Sequence, residues 1–102
     1  MTVELGAPFD AAKYIKGDDD AQRDLLVDAL ASGDRAYVAH ALGTIARARG
    51  GLTKLASETG IKRQALHRAL GRDGNPTLDT LLKVLSALGL RATVEEVPAK
   101  AA

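Results

Sequence analysis

Residues 52–72 read LTKLASETGIKRQALHRALGR. Helical spacing puts Leu52, Leu55, Ala56 and Thr59 on one stripe, Gly60 follows as a residue suited to a left-handed turn, and Ile61 plugs the corner beyond it. The next residues divide in two. At roughly 100° per residue, Ala65, Leu66, Ala69 and Leu70 fill an apolar arc of about 140°, and Arg63, Gln64, His67 and Arg68 occupy the opposite side. The stretch therefore predicts two short helices joined by a tight turn, a helix-turn-helix over 52–72. The polar face of its second helix looks at solvent or into a groove.

Charge is distributed unevenly around this stretch. Residues 35–72 carry eight Lys or Arg against Glu58 alone, whereas residues 1–34 carry eight Asp or Glu against three bases. The net charge of +1 conceals this segregation. A basic block of this kind attracts phosphate, and an acidic N-terminal third avoids DNA or meets something basic.

A chain of 102 residues has room for one modest core. We expect one domain over 1–97, with 98–102 as a disordered tail. One Phe, two Tyr and no Trp leave Ala, Leu, Val and Ile to build that core, which suits close-packed helices. The absence of Cys excludes disulfides, thiolate metal sites and Cys nucleophiles. With no apolar run of signal-peptide or membrane-span length, the expectation is a soluble, cytoplasmic protein.

Along the chain, Thr2 to Leu5 suits a short strand, and Asp10 suits an N-cap, with Phe9 and Tyr14 placed as a hydrophobic staple for a helix over about 11–16. Gly17 stops that helix, and Asp18, Asp19 and Asp20 sit at the start of the next, which carries Leu25, Leu26, Ala29 and Leu30 as its stripe and ends near Ser32. Asp34 caps a third helix with Val38, Ala41, Leu42, Ile45 and Ala48 on its buried face, ended by Gly50 and Gly51. Arg47 and Arg49 in its last turn suit either the helix dipole or phosphate. Thr77 caps a last helix with Leu78, Leu81, Leu82, Leu85 and Leu88 as its stripe, Val84 flanking, and Gly89 as its stop. Leu90 to Val97 alternates apolar and polar residues like a strand, closed by Pro98. Such a strand needs a partner, either residues 2–5, its own copy or the edge of another protein.

The chemistry is that of binding rather than catalysis. His40 and His67 fall on different helices with no HExxH pair or dense carboxylate cluster, the Asp run lacks the glycine and distal Glu of a calcium loop, and no glycine motif cradles a phosphate. We expect no enzyme, no cofactor and no metal. In a helix-turn-helix on duplex DNA, the second helix reads base edges from the major groove. Arg63 and Arg68 match guanine, Gln64 matches adenine, and His67 suits a base or a phosphate. Thr53, Lys54, Lys62, Arg72 and Asn75 are placed for the phosphate backbone.

The leader PFDAAKYIKGDDD (8–20), the segment ALGTIARARGGLTKLASETGIKRQALHRALGRDGNPTLDTLLKVLSALGL (41–90) and the closing RATVEEV (91–97), in that order, resemble bacterial addiction-module antidote proteins. These are HigA-like antitoxins with a helix-turn-helix of the phage-repressor (Xre/Cro) type. The resemblance implies an all-α, five-helix repressor-like domain with a short C-terminal β-strand. It also implies neutralisation of a RelE/ParE-type ribonuclease toxin and repression of the shared operon. Base reading passes to Arg63, Gln64, His67 and Arg68, and phosphate contact to Thr53, Lys54, Lys62 and Arg72. Relatives commonly cap the recognition helix with Ser, whereas this chain has Lys62. On this reading the acidic N-terminal third covers a basic toxin surface, with Phe9, Tyr14 and Ile15 as anchors and Asp18, Asp19 and Asp20 as its charged rim. Operator geometry favours a homodimer on double-stranded DNA with two half-sites. A stand-alone phage-type repressor and a helical protein-binding adaptor are the alternatives.

Overall fold

The structure is a computed structural model that describes residues 11–98. The strand expected over 2–5, the Asp10 cap, Phe9 with its staple, and residues 99–102 of the expected tail lie outside the described residues. Six helices follow one another: α1 (Ala11–Ile15), α2 (Asp19–Ser32), α3 (Arg35–Ala48), α4 (Leu52–Thr59), α5 (Arg63–Ala69) and α6 (Leu78–Ala87).

The chain is all-α, as composition predicts, but six helices stand where the family resemblance implies five. The residue pattern already gave a short first helix over about 11–16, and α1 stands there. Gly17 turns the chain at φ 77°, and the Asp18 carboxylate then accepts from the Ala21 amide at 3.0 Å, so α2 starts afresh instead of continuing α1. Asp34 and Thr77 cap as expected, accepting from the amides of Ala36 and Thr80.

α3 is the central helix. Ala39, Ala41, Leu42, Gly43, Thr44, Ile45, Ala46 and Ala48 are all buried, so it is covered on nearly every side, with α1, α2 and α4 packed around it. The core gathers Leu26, Leu42, Ile45, Leu55, Leu66, Leu70, Val84, Leu85 and Leu88 from five helices and their caps. At Gly43 the packing admits no side chain, because a Cβ there would lie 2.6 Å from the Leu70 carbonyl oxygen. We predict that Gly43→Ala costs about 1–3 kcal/mol, since the obstacle is backbone that can yield only by moving the end of α5. Thermal unfolding measures it directly. Between α2 and α3, the Tyr37 hydroxyl donates to Asp28 Oδ2 at 2.6 Å. That bond to the carboxylate holds the phenol pKa above its ordinary value.

Two expectations are corrected. The core face of α6 is set by Leu81, Val84, Leu85 and Leu88, while Leu78 and Leu82 are 70% and 49% exposed. At roughly 100° per residue, the centre of the buried arc falls between Leu81 and Leu88, and Leu82 lies about 110° round from it. Val84, read as flanking, is fully buried. Residues 90–97 form no strand, and no strand occurs among the described residues. The reason is that no second extended segment runs beside them among the described residues, and a strand exists only through its ladder. No helix among the described residues is long and apolar enough to cross a membrane.

Candidate nucleic-acid interface

α4 and α5 meet through Gly60, Ile61 and Lys62, with Gly60 in the left-handed conformation at φ 76° and its amide donating to the Ala56 carbonyl. The Thr59 hydroxyl then accepts from the Ile61 amide at 3.2 Å, which fixes the exit from the turn. Ile61, half-buried, packs against the core. The inner side of α5 is anchored by Leu66 and by Leu70 just past its end, which are 0% and 4% exposed.

With the inner side fixed, the outer side is determined. Arg63, Gln64, His67 and Arg68 are exposed, and together they line one shallow cleft on the surface of α5. Arg63 is further held by a hydrogen bond from its Nε to Thr53 Oγ1 at 3.1 Å, which joins the start of α5 to the start of α4. Two of the residues read from sequence for different tasks are thus in direct contact. Lys54 is exposed, and its aliphatic stem lies against the backbone of Gly50, where a Cβ would sit 2.8 Å from Lys54 Cδ.

Lys62 occupies the N-cap of α5, and no side chain accepts from the first amides of the helix. Lys62→Ser is predicted to supply that acceptor and stabilise the protein by about 1 kcal/mol. A rise in melting temperature of a few degrees checks it; an unchanged or lower value refutes the capping argument. Arg72 and Asn75 are exposed on the turn that follows α5. That turn is clamped from an unexpected quarter, because Arg35 Nη1 donates to the buried Gly74 carbonyl at 3.0 Å. Nothing in the local sequence signals this contact, which spans 39 positions.

The electrostatics follow from who is paired. Arg23, Arg49 and Lys83 each meet a carboxylate, but among the described residues Lys54, Lys62, Arg63, Arg68 and Arg72 meet none. Their charge is uncompensated by any carboxylate among the described residues. Arg49 is engaged structurally, donating from Nη1 to the Leu88 carbonyl at 2.6 Å and lying 3.5 Å from Asp19 through Nη2. Arg47 donates to Thr44 Oγ1 and stays exposed at the end of α3.

The residues read as toxin-facing lie elsewhere, on α1 and at the start of α2. Tyr14 is 74% exposed, whereas Ile15 packs against the core and its carbonyl accepts from the buried Gln22 side chain at 2.8 Å. Asp18 caps α2, Asp19 faces Arg49, and Asp20 lies 3.7 Å from Arg23. Each aspartate thus has a local structural partner.

A family model for probable addiction module antidote proteins matches residues 6–96. The chain belongs to this family. An uncharacterised protein of Haemophilus influenzae is 36% identical over 96 residues, which cover 94% of this chain and 96% of that protein. No solved structure matches. The family match takes in α1 to α6 and runs on to residue 96, so it includes both the α5 cleft and the acidic start of α2.

Proposed function

We propose that this antidote is the antitoxin of a type II toxin–antitoxin module, which binds and neutralises a RelE/ParE-type toxin and represses its own operon. In this reading α4 and α5 are a helix-turn-helix of the phage-repressor type, and α5 lies in the major groove of operator DNA. Arg63, Gln64, His67 and Arg68 read bases, while Thr53, Lys54, Lys62, Arg72 and Asn75 hold the backbone. The protein acts as a non-enzymatic homodimer on two half-sites. Phe9, Tyr14 and Ile15, with Asp18, Asp19 and Asp20, contact the toxin.

The observation that carries the DNA reading is the cleft on α5. Four side chains able to hydrogen-bond base edges share it, and among the described residues neither of its arginines has a carboxylate partner. A merely solvated helix face would normally intersperse acids with its bases; on α4 and α5 the only acid is Glu58. Family membership supports the toxin reading. Gel shift on the DNA upstream of the gene, with random duplex as competitor, tests the first. Co-expression with the neighbouring gene tests the second, by growth rescue. Tyr14→Ala combined with Asp20→Lys, both on exposed residues, is expected to abolish co-purification of the toxin while leaving the DNA shift intact. Undiminished toxin binding by that variant places the toxin surface elsewhere.

A further inference from the structure

Beyond α6 the chain runs over residues 91–98 without a turn or sharp bend, every residue exposed, along the apolar side of α2. Leu90 is the last residue whose backbone is engaged, its amide donating to the Leu85 carbonyl at 2.8 Å. Among the described residues, no amide or carbonyl of 91–98 finds a hydrogen-bond partner. Val94 is 99% exposed and Val97 78%, beside Val27 and Leu30 of α2 at 58% and 48%. A straight row of unpaired peptide groups against exposed aliphatic side chains is an edge awaiting another strand.

The order of residues says which strand. With strand periodicity, Leu90, Ala92 and Val94 fall on one face and Arg91, Thr93 and Glu95 on the other. If the segment is paired antiparallel with its own copy about Thr93, Arg91 of each chain stands opposite Glu95 of the other. In the same register Ala92 stands opposite Val94, and Thr93 opposite Thr93. Arg91 and Glu95 of each strand are thereby matched, Ala92 and Val94 of both strands share one face, and Glu96 stands opposite Leu90 at the end of the ribbon. Shifting the axis to Val94 sets Arg91 against Val97 and Glu95 against Thr93, which matches neither charge. Parallel in-register pairing sets Arg91 against Arg91 and Glu95 against Glu95, which repels. Among the described residues Arg91, Glu95 and Glu96 have no ion-pair partner within the chain.

We propose that residues 90–96 form an antiparallel two-stranded β-ribbon with the same segment of a second copy, with its two-fold axis at Thr93. This deepens the homodimer of the function proposed above by naming its interface, but the pairing itself needs neither DNA nor toxin. The ribbon supplies the strand partner that residues 90–96 lack among the described residues. Its shared apolar face covers part of the groove beside Val27 and Leu30.

Sedimentation equilibrium of the protein alone tests it. The wild type is expected to dimerise, Arg91→Glu and Glu95→Arg each to weaken the dimer at least about tenfold, and the double exchange to recover most of that loss. Circular dichroism confirms that these exposed substitutions leave the helices intact. As a second arm, Thr93→Cys introduces the sole cysteine of the chain and is expected to form an intermolecular disulfide on mild oxidation. Directly opposed residues of an antiparallel pair lie about 4.5–5.5 Å apart, within disulfide reach. A monomer, a dimer indifferent to both single charge reversals, or a segment protected only when toxin is present overturns the proposal. Arg63→Ala should remain dimeric, so loss of DNA binding and loss of the ribbon are separable.

Discussion

Arg63→Ala is expected to weaken binding to the operator by about 1–3 kcal/mol for each half-site, while binding to random duplex changes little. The substitution removes a planar fork of donors that alone can meet two acceptors on one guanine. Arg63 is exposed and among the described residues pairs with no carboxylate, so its removal leaves no buried charge and opens no cavity. The melting temperature should therefore hold. Lys54→Ala and Arg72→Ala should behave differently, weakening every duplex alike and lowering the slope of log affinity against log salt by about 1 each. Fluorescence anisotropy on operator and scrambled duplexes at several salt concentrations separates the two patterns. Equal losses on both duplexes for Arg63→Ala would assign it to the backbone instead of a base.

Leu66→Ala should do the reverse, costing about 2–5 kcal/mol of stability through the cavity it leaves. Leu66 is fully buried and sits on α5 between Arg63 and Gln64 on one side and His67 and Arg68 on the other. For a domain of this size a loss of that order lowers the melting temperature by roughly 10 °C or more. DNA binding should fall only where unfolding has begun, and return on cooling. If the melting temperature is unmoved, α5 is not docked through Leu66, and the exposure of its polar face loses its structural cause.

Much of this was legible from residue order. Capping residues and glycines marked the helix limits, because Asp18, Asp34 and Thr77 act locally and Gly60 answers a local demand for positive φ. The polar cleft was legible because helical periodicity over seven residues leaves little freedom about which side faces out. What periodicity could not supply was the partner of each face. The stripe on α6 contained more leucines than the core had room for, and only packing against α4 and the shared core selected Val84 over Leu82. Residues 90–97 have strand alternation but no neighbouring strand among the described residues, and pairing is a property of two segments. Contacts such as Arg49 with Leu88, or Arg35 with Gly74, join positions 39 apart and leave no local trace.

The hydrogen bond from Arg63 Nε to Thr53 also has an entropic meaning. An arginine free in solvent gives up about 2 kcal/mol of rotamer freedom when a ligand immobilises it. Part of that ordering is already in place before any ligand arrives, and the donor engaged is Nε, so the two terminal nitrogens are presented end-on. In the proposed complex, affinity for the operator would then depend on a threonine that touches no base, and Thr53→Ala would weaken operator binding without altering which sequence is preferred.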